Sequence, residues 1–134
     1  MAKWFKKKEI FKVKSVPLDP ASMGEPTTAD EFQKRGVAFY ARGQYSAAEA
    51  DLKKAISLDS NNLDSYYSLG MVLKALKRKE DATEAFKHVL DLIAANPTPD
   101  HTKNDMLRRL ALGHNNEMAQ GDWNLEKEIW KHIP

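Results

Sequence analysis

Histidines and scattered carboxylates are the side chains of this 134-residue sequence that could carry acid–base or metal chemistry. No two histidines are four residues apart, so helical spacing does not pair them as metal ligands; they are His88, His101, His114 and His132. The sequence has no HExxH or GxSxG motif and no phosphate-binding glycine loop. The absence of cysteine excludes disulfides, thiolate nucleophiles and cysteine-ligated zinc. We therefore expect no enzyme, metal, cofactor or small-molecule substrate.

The elements that would position any binding residues are helices. A composition of 42% hydrophobic and 30% charged residues is typical of a folded globular chain. From Thr28 onward, apolar residues recur at helical spacing, with breaks at Gly43–Gln44 and at residues 59–62. Thr28 with Glu31 and Ser46 with Glu49 match the capping-box pattern of a helix start. The pattern predicts four helices between residues 28 and 96.

These four predicted helices are two copies of one unit of 34 residues. Small residues that let backbones approach, and large residues that fill the space between, recur at this period. The matching pairs are Gly36 and Gly70, Ala48 and Ala82, Phe32 and Tyr66, Phe39 and Leu73, and Leu52 and Phe86. A 34-residue helix–turn–helix unit is the length of a tetratricopeptide repeat.

The sequence closely resembles the tetratricopeptide repeat family over residues 28–96, with repeats at about 29–62 and 63–96. The resemblance implies an all-α, right-handed helical solenoid whose first helices line a concave groove for peptides, helices or proteins. Leu112 and Gly113 repeat Leu69 and Gly70, but 43 residues separate the two glycines. We therefore expect a degenerate third helix pair over about 100–133, beginning with a long helix from about Asp100 to Gln120.

The groove side of each first helix follows from the position of its glycine. The side chains expected there are mostly apolar or aromatic, namely Gln33, Val37 and Tyr40 in the first repeat and Tyr67, Met71 and Lys74 in the second, with Arg108 from the third. Such a set suits an apolar or amphipathic segment. One alternative is that Tyr40 and Tyr67 pack between helices as core. A carboxylate clamp is not expected, because Val37 stands where that subfamily has an asparagine, and valine offers no amide donor.

The first 26 residues form a separate basic and aromatic arm ahead of a domain over residues 27–134. The arm has a net charge of +3, whereas the rest is close to neutral. Proline and glycine in residues 17–26 indicate an extended linker. Three interpretations stay open: a solvated tail, a tether that docks on a partner or neighbouring subunit, and a segment lying on an anionic membrane surface. The docking residues would be Trp4, Phe5, Lys6, Lys7, Lys8 and Phe11.

The last predicted helix carries Trp123 and Trp130. These side chains either cover the open end of the solenoid or form a second docking face.

The first hypothesis is a cytoplasmic, non-catalytic adaptor or assembly factor that binds a protein segment in its groove. The alternative is a small structural subunit of a larger, membrane-associated complex, docked through the arm and the tryptophan helix at the cytoplasmic membrane face. Nucleic acid is not expected as a partner, since the arm has no arginine and the whole chain is nearly neutral.

Overall fold

The computed structural model describes residues 19–96 and 102–121, and every regular element in these ranges is helical. A short 3₁₀ helix, Pro20–Met23, precedes five α-helices. They are α1 (Ala29–Ala41), α2 (Tyr45–Leu58), α3 (Leu63–Ala75), α4 (Lys79–Ala95) and α5 (Thr102–Gln120). The all-α prediction and the long fifth helix are confirmed.

Each hairpin is made by a sequence signal that recurs at the repeat length. At the end of α1, the amide of Gln44 donates to the carbonyl of Phe39, and at the end of α3 the amide of Arg78 donates to the carbonyl of Leu73. Gly43 and Lys77, also 34 residues apart, both have left-handed backbone, with φ of 75° and 64°. The same turn is therefore built twice, once with glycine and once with lysine.

Two of the helix starts carry side-chain caps. The Thr28 hydroxyl accepts from the amide of Glu31 at 3.2 Å, and the Asn62 side chain accepts from the amide of Ser65 at 3.1 Å. The capping box expected at Ser46 and Glu49 is wrong, because α2 begins at Tyr45, one residue before Ser46. The turn bond that Gln44 makes sets this earlier start.

The glycines expected to permit close packing do so against matching partners. A Cβ at Gly36 would lie 2.8 Å from Cγ of Leu52, and one at Gly70 would lie 2.7 Å from Cε1 of Phe86. Neighbouring helices pack in order along the chain, and α1 also contacts α3. This stacking of one hairpin on the next is the arrangement of a tetratricopeptide solenoid.

The predicted extended linker is partly wrong. Residues 20–23 form the 3₁₀ helix, because the Asp19 carboxylate accepts from the amide of Ala21 at 3.1 Å and Pro20 sets a helical φ at the first position. Pro20 is buried, and this turn packs on α1.

Candidate functional site

The groove face predicted for α1 and α3 combines one exposed apolar side chain with half-buried neighbours. Val37 is 39% exposed, whereas Tyr40, Tyr67 and Met71 are half-buried and pack against the core. The rings of Tyr40 and Tyr45 are 5.6 Å apart, and those of Tyr67 and Phe86 are 5.8 Å apart. Both groove tyrosines therefore support the core with one side of the ring while staying partly accessible.

Helix α5 adds a third row to this face. Aligning Gly113 with Gly70 and Gly36 places His114 at the position of Met71 and Val37. His114 is only 7% exposed, and its ring stacks on Phe86 with centroids 4.8 Å apart. A buried imidazole thus takes the place of the two apolar side chains.

Three polar side chains form a network with this imidazole. The Tyr67 oxygen lies 3.2 Å from Nε2 of His114, and Nζ of Lys74 lies 3.1 Å from Nδ1. Lys74 also pairs with Glu117 at 3.1 Å. The contacts join α3 to α5, so they fix the third row of the face against the second.

The protonation state of this network follows from its donors. An ammonium group can only donate, so Nδ1 of His114 must carry a lone pair and Nε2 must carry the hydrogen. Burial, reinforced by the charge of Lys74, lowers the pKa of His114 to about 4, although Glu117 acts in the opposite direction. Burial and, to a lesser degree, Tyr40 raise the pKa of Tyr67. At neutral pH the network therefore holds a neutral imidazole and an intact phenol.

Sequence reasoning missed His114 and chose Arg108 for the third row. In the register set by Gly113, Arg108 corresponds to Ser65, which is fully buried, while Leu110 corresponds to Tyr67. Arg108 is half-buried, and its place in a groove stays a prediction. The signal that could have found His114 was the Leu112–Gly113 match, followed by one residue.

The other predicted docking residues lie outside the described residues. They are Trp4, Phe5, Lys6, Lys7, Lys8 and Phe11 of the arm, and Trp123 and Trp130 near the end of the chain.

A second depression lies between α2, α3 and α4, on the side of α3 that carries Tyr66. Its volume is about 260 Å³, and its lining includes Ile56 and Leu69. The Tyr66 ring in its wall stacks on His88 at 5.0 Å. Within the described ranges, no cluster of histidines and carboxylates could hold a metal ion, and no helix has the length and hydrophobicity to cross a membrane.

Comparison with known proteins identifies the repeated unit. A protein-family model described as "TPR repeat" matches residues 36–77, and one described as "Tetratricopeptide repeat" matches residues 63–96. The chain is 36% identical over 73 residues to the small glutamine-rich tetratricopeptide repeat-containing protein 2 of Saccharomyces cerevisiae, a match that covers 54% of this chain. It is 32% identical over 77 residues, 58% of its length, to tetratricopeptide repeat protein 7B of mouse and of human.

These matches concern the repeats alone. They cover 21% of the yeast relative and 9% of the mammalian ones. No solved structure matches the chain. The stacked 34-residue hairpins, the glycines packed on Leu52 and Phe86 and the two family matches lead to one conclusion: the chain belongs to the tetratricopeptide repeat family.

Proposed function

We propose that the face formed by α1, α3 and α5 is a groove that binds a segment of a partner protein, and that the chain is a non-catalytic adaptor or assembly factor. Tetratricopeptide repeats support a protein-interaction role of this kind. The observation that carries the proposal is Val37, an apolar side chain that stays 39% exposed at the centre of the first row. The adjoining Met71 supplies an adaptable apolar surface of the kind used for peptides.

A charge placed on this face tests the proposal. Val37→Asp should abolish or strongly reduce recovery of the partners that co-purify with the tagged chain, because a carboxylate would have to be desolvated against an apolar segment. Leu58→Asp is a matched control, since Leu58 is 50% exposed at the end of α2, on the second helix of its hairpin. Thermal melting of both variants checks the fold.

The outcome discriminates between surfaces. Equal recovery by Val37→Asp and the unmodified chain would refute the groove assignment. Loss on Leu58→Asp alone would move the interface to the second helices. The double variant Tyr67→Ala with Met71→Ala should reproduce the loss in the second row.

A further inference from the structure

The hydrogen-bond network around His114 determines which way the Tyr67 hydroxyl can donate. Because Lys74 donates to Nδ1, the hydrogen on His114 is at Nε2, and that hydrogen points to the Tyr67 oxygen 3.2 Å away. The Tyr67 oxygen is therefore the acceptor in this bond. Its own hydrogen cannot be directed at His114 and is available to another acceptor.

Within the part of the chain that the structure describes, His114 is the hydrogen-bond partner shown for the Tyr67 hydroxyl. Tyr67 is on the predicted groove face, at the position that Gln33 occupies in the first row. A hydroxyl group that is fixed as a donor beside Met71 favours a ligand with an acceptor next to apolar side chains.

The charges around this donor are paired with one another. Three ion pairs involve the first helices of the three rows, and they are Asp30 with Lys34 at 3.0 Å, Asp64 with Lys103 at 2.9 Å and Lys74 with Glu117 at 3.1 Å. A face whose lysines are already matched by carboxylates has little net attraction for a charged ligand. The complementary acceptor is therefore an uncharged one, such as a peptide carbonyl.

The backbone conformation of the ligand follows from its hydrogen bonds. Carbonyls in the interior of an α-helix already accept from amides of the same helix, whereas those of an extended segment are open. We propose that the groove binds an uncharged, apolar peptide segment in an extended conformation, and that the Tyr67 hydroxyl donates to one of its backbone carbonyls. This inference rests on the proposed function, because it specifies the ligand of the same groove.

The test begins with a defined ligand. Dodecapeptides are selected from a displayed random library on the full chain, with counter-selection on Val37→Asp, and are then synthesised with a fluorophore. The expected peptides are uncharged and apolar, and a helix-stapled version should bind more weakly than the unconstrained one. Tyr67→Phe should lower the affinity about 3- to 10-fold, the range of one neutral hydrogen bond. Tyr66→Phe is the neighbouring control and should leave it unchanged, because Tyr66 lines the other depression.

A thioamide scan identifies the acceptor itself. Replacing each peptide carbonyl oxygen by sulfur weakens it as an acceptor, so one position should lose affinity on the unmodified chain and lose nothing further on Tyr67→Phe. Additive losses at every position would overturn the proposal, and so would tighter binding of the stapled or of an acidic peptide. If no peptide depends on Val37, the proposed function fails as well; if binding depends on Val37 but not on the Tyr67 hydroxyl, only this inference fails.

Discussion

The ammonium group of Lys74 on α3 lies 3.1 Å from Nδ1 of His114 on α5, a cation in direct contact with a buried imidazole. The pair is compatible only with a neutral histidine, since a protonated Nδ1 would present a second donor to a donor. The same ammonium group also pairs with Glu117, 3.1 Å away on α5. The junction between the second and third rows thus depends on the protonation state of one residue.

Acidification should therefore destabilise the chain before most carboxylates titrate. The pKa of His114 is about 4 in the folded chain, against 6.5 for an ordinary histidine, so the unfolded chain binds more protons between these pH values. The stabilisation is fully present above pH 6.5 and is lost as pH falls toward 4. At pH 5 the expected loss is about 2 kcal/mol of the free energy of unfolding, measured by urea titration at pH 7 and pH 5.

The control for this prediction is His114→Phe, which keeps an aromatic ring against Phe86 and removes the titrating group. Its free energy of unfolding should change less between pH 7 and pH 5 than that of the unmodified chain. An equal change in both proteins would show that other groups cause the acid sensitivity.

Alanine at the two matched glycines should have unequal effects. At Gly70 the new Cβ would meet three ring atoms of Phe86 at 2.7 to 2.9 Å, and a buried ring moves only by displacing its own neighbours. At Gly36 the nearest atoms belong to the more adaptable side chain of Leu52. We expect Gly70→Ala to cost about 1–3 kcal/mol and Gly36→Ala about 1 kcal/mol less, because overpacking is partly offset by the better helix propensity of alanine.

Thermal and urea unfolding of the two variants measure this difference. A Gly70→Ala chain as stable as the unmodified one would mean that the Phe86 ring is free to move.

The turn after α3 can be improved by copying the turn after α1. Lys77 has a φ of 64°, which costs a non-glycine residue free energy, and its counterpart Gly43 has almost the same φ without that cost. Lys77→Gly should therefore raise the free energy of unfolding by about 0.5–1 kcal/mol. The converse variant, Gly43→Lys, should lower it by a similar amount, and opposite signs in urea titrations are the required result.

The repeated features were readable from the sequence because each is local or recurs at a fixed distance. The spacing of Gly36 and Gly70 predicts both hairpins, and the residues 16 positions later, Leu52 and Phe86, fill the space beside them. His114 was missed because its environment comes from partners 40 and 47 residues away on α3 and from a ring on α4. No local pattern encodes a histidine made neutral by such distant neighbours.

The ion pair between Arg35 and Asp51 shows how the two repeats solve one packing problem differently. The guanidinium donates to both carboxylate oxygens, at 2.7 and 2.8 Å, between α1 and α2. The residues 34 positions later, Leu69 and Ala85, are apolar and buried in the second hairpin. The pair therefore occupies a site that the same architecture can fill without charge.

Breaking this pair and replacing it should have opposite outcomes. Asp51→Ala should cost about 1–3 kcal/mol, because it leaves the partly buried Arg35 without its acceptor. Arg35→Leu combined with Asp51→Ala copies the second hairpin and should restore the free energy of unfolding to within about 1 kcal/mol of the unmodified chain, since apolar replacement of a buried ion pair is often neutral. Urea titration of the two single variants and the double variant gives the coupling energy. A double variant no more stable than Asp51→Ala would show that the first hairpin requires the ion pair and that the two repeats do not tolerate the same packing.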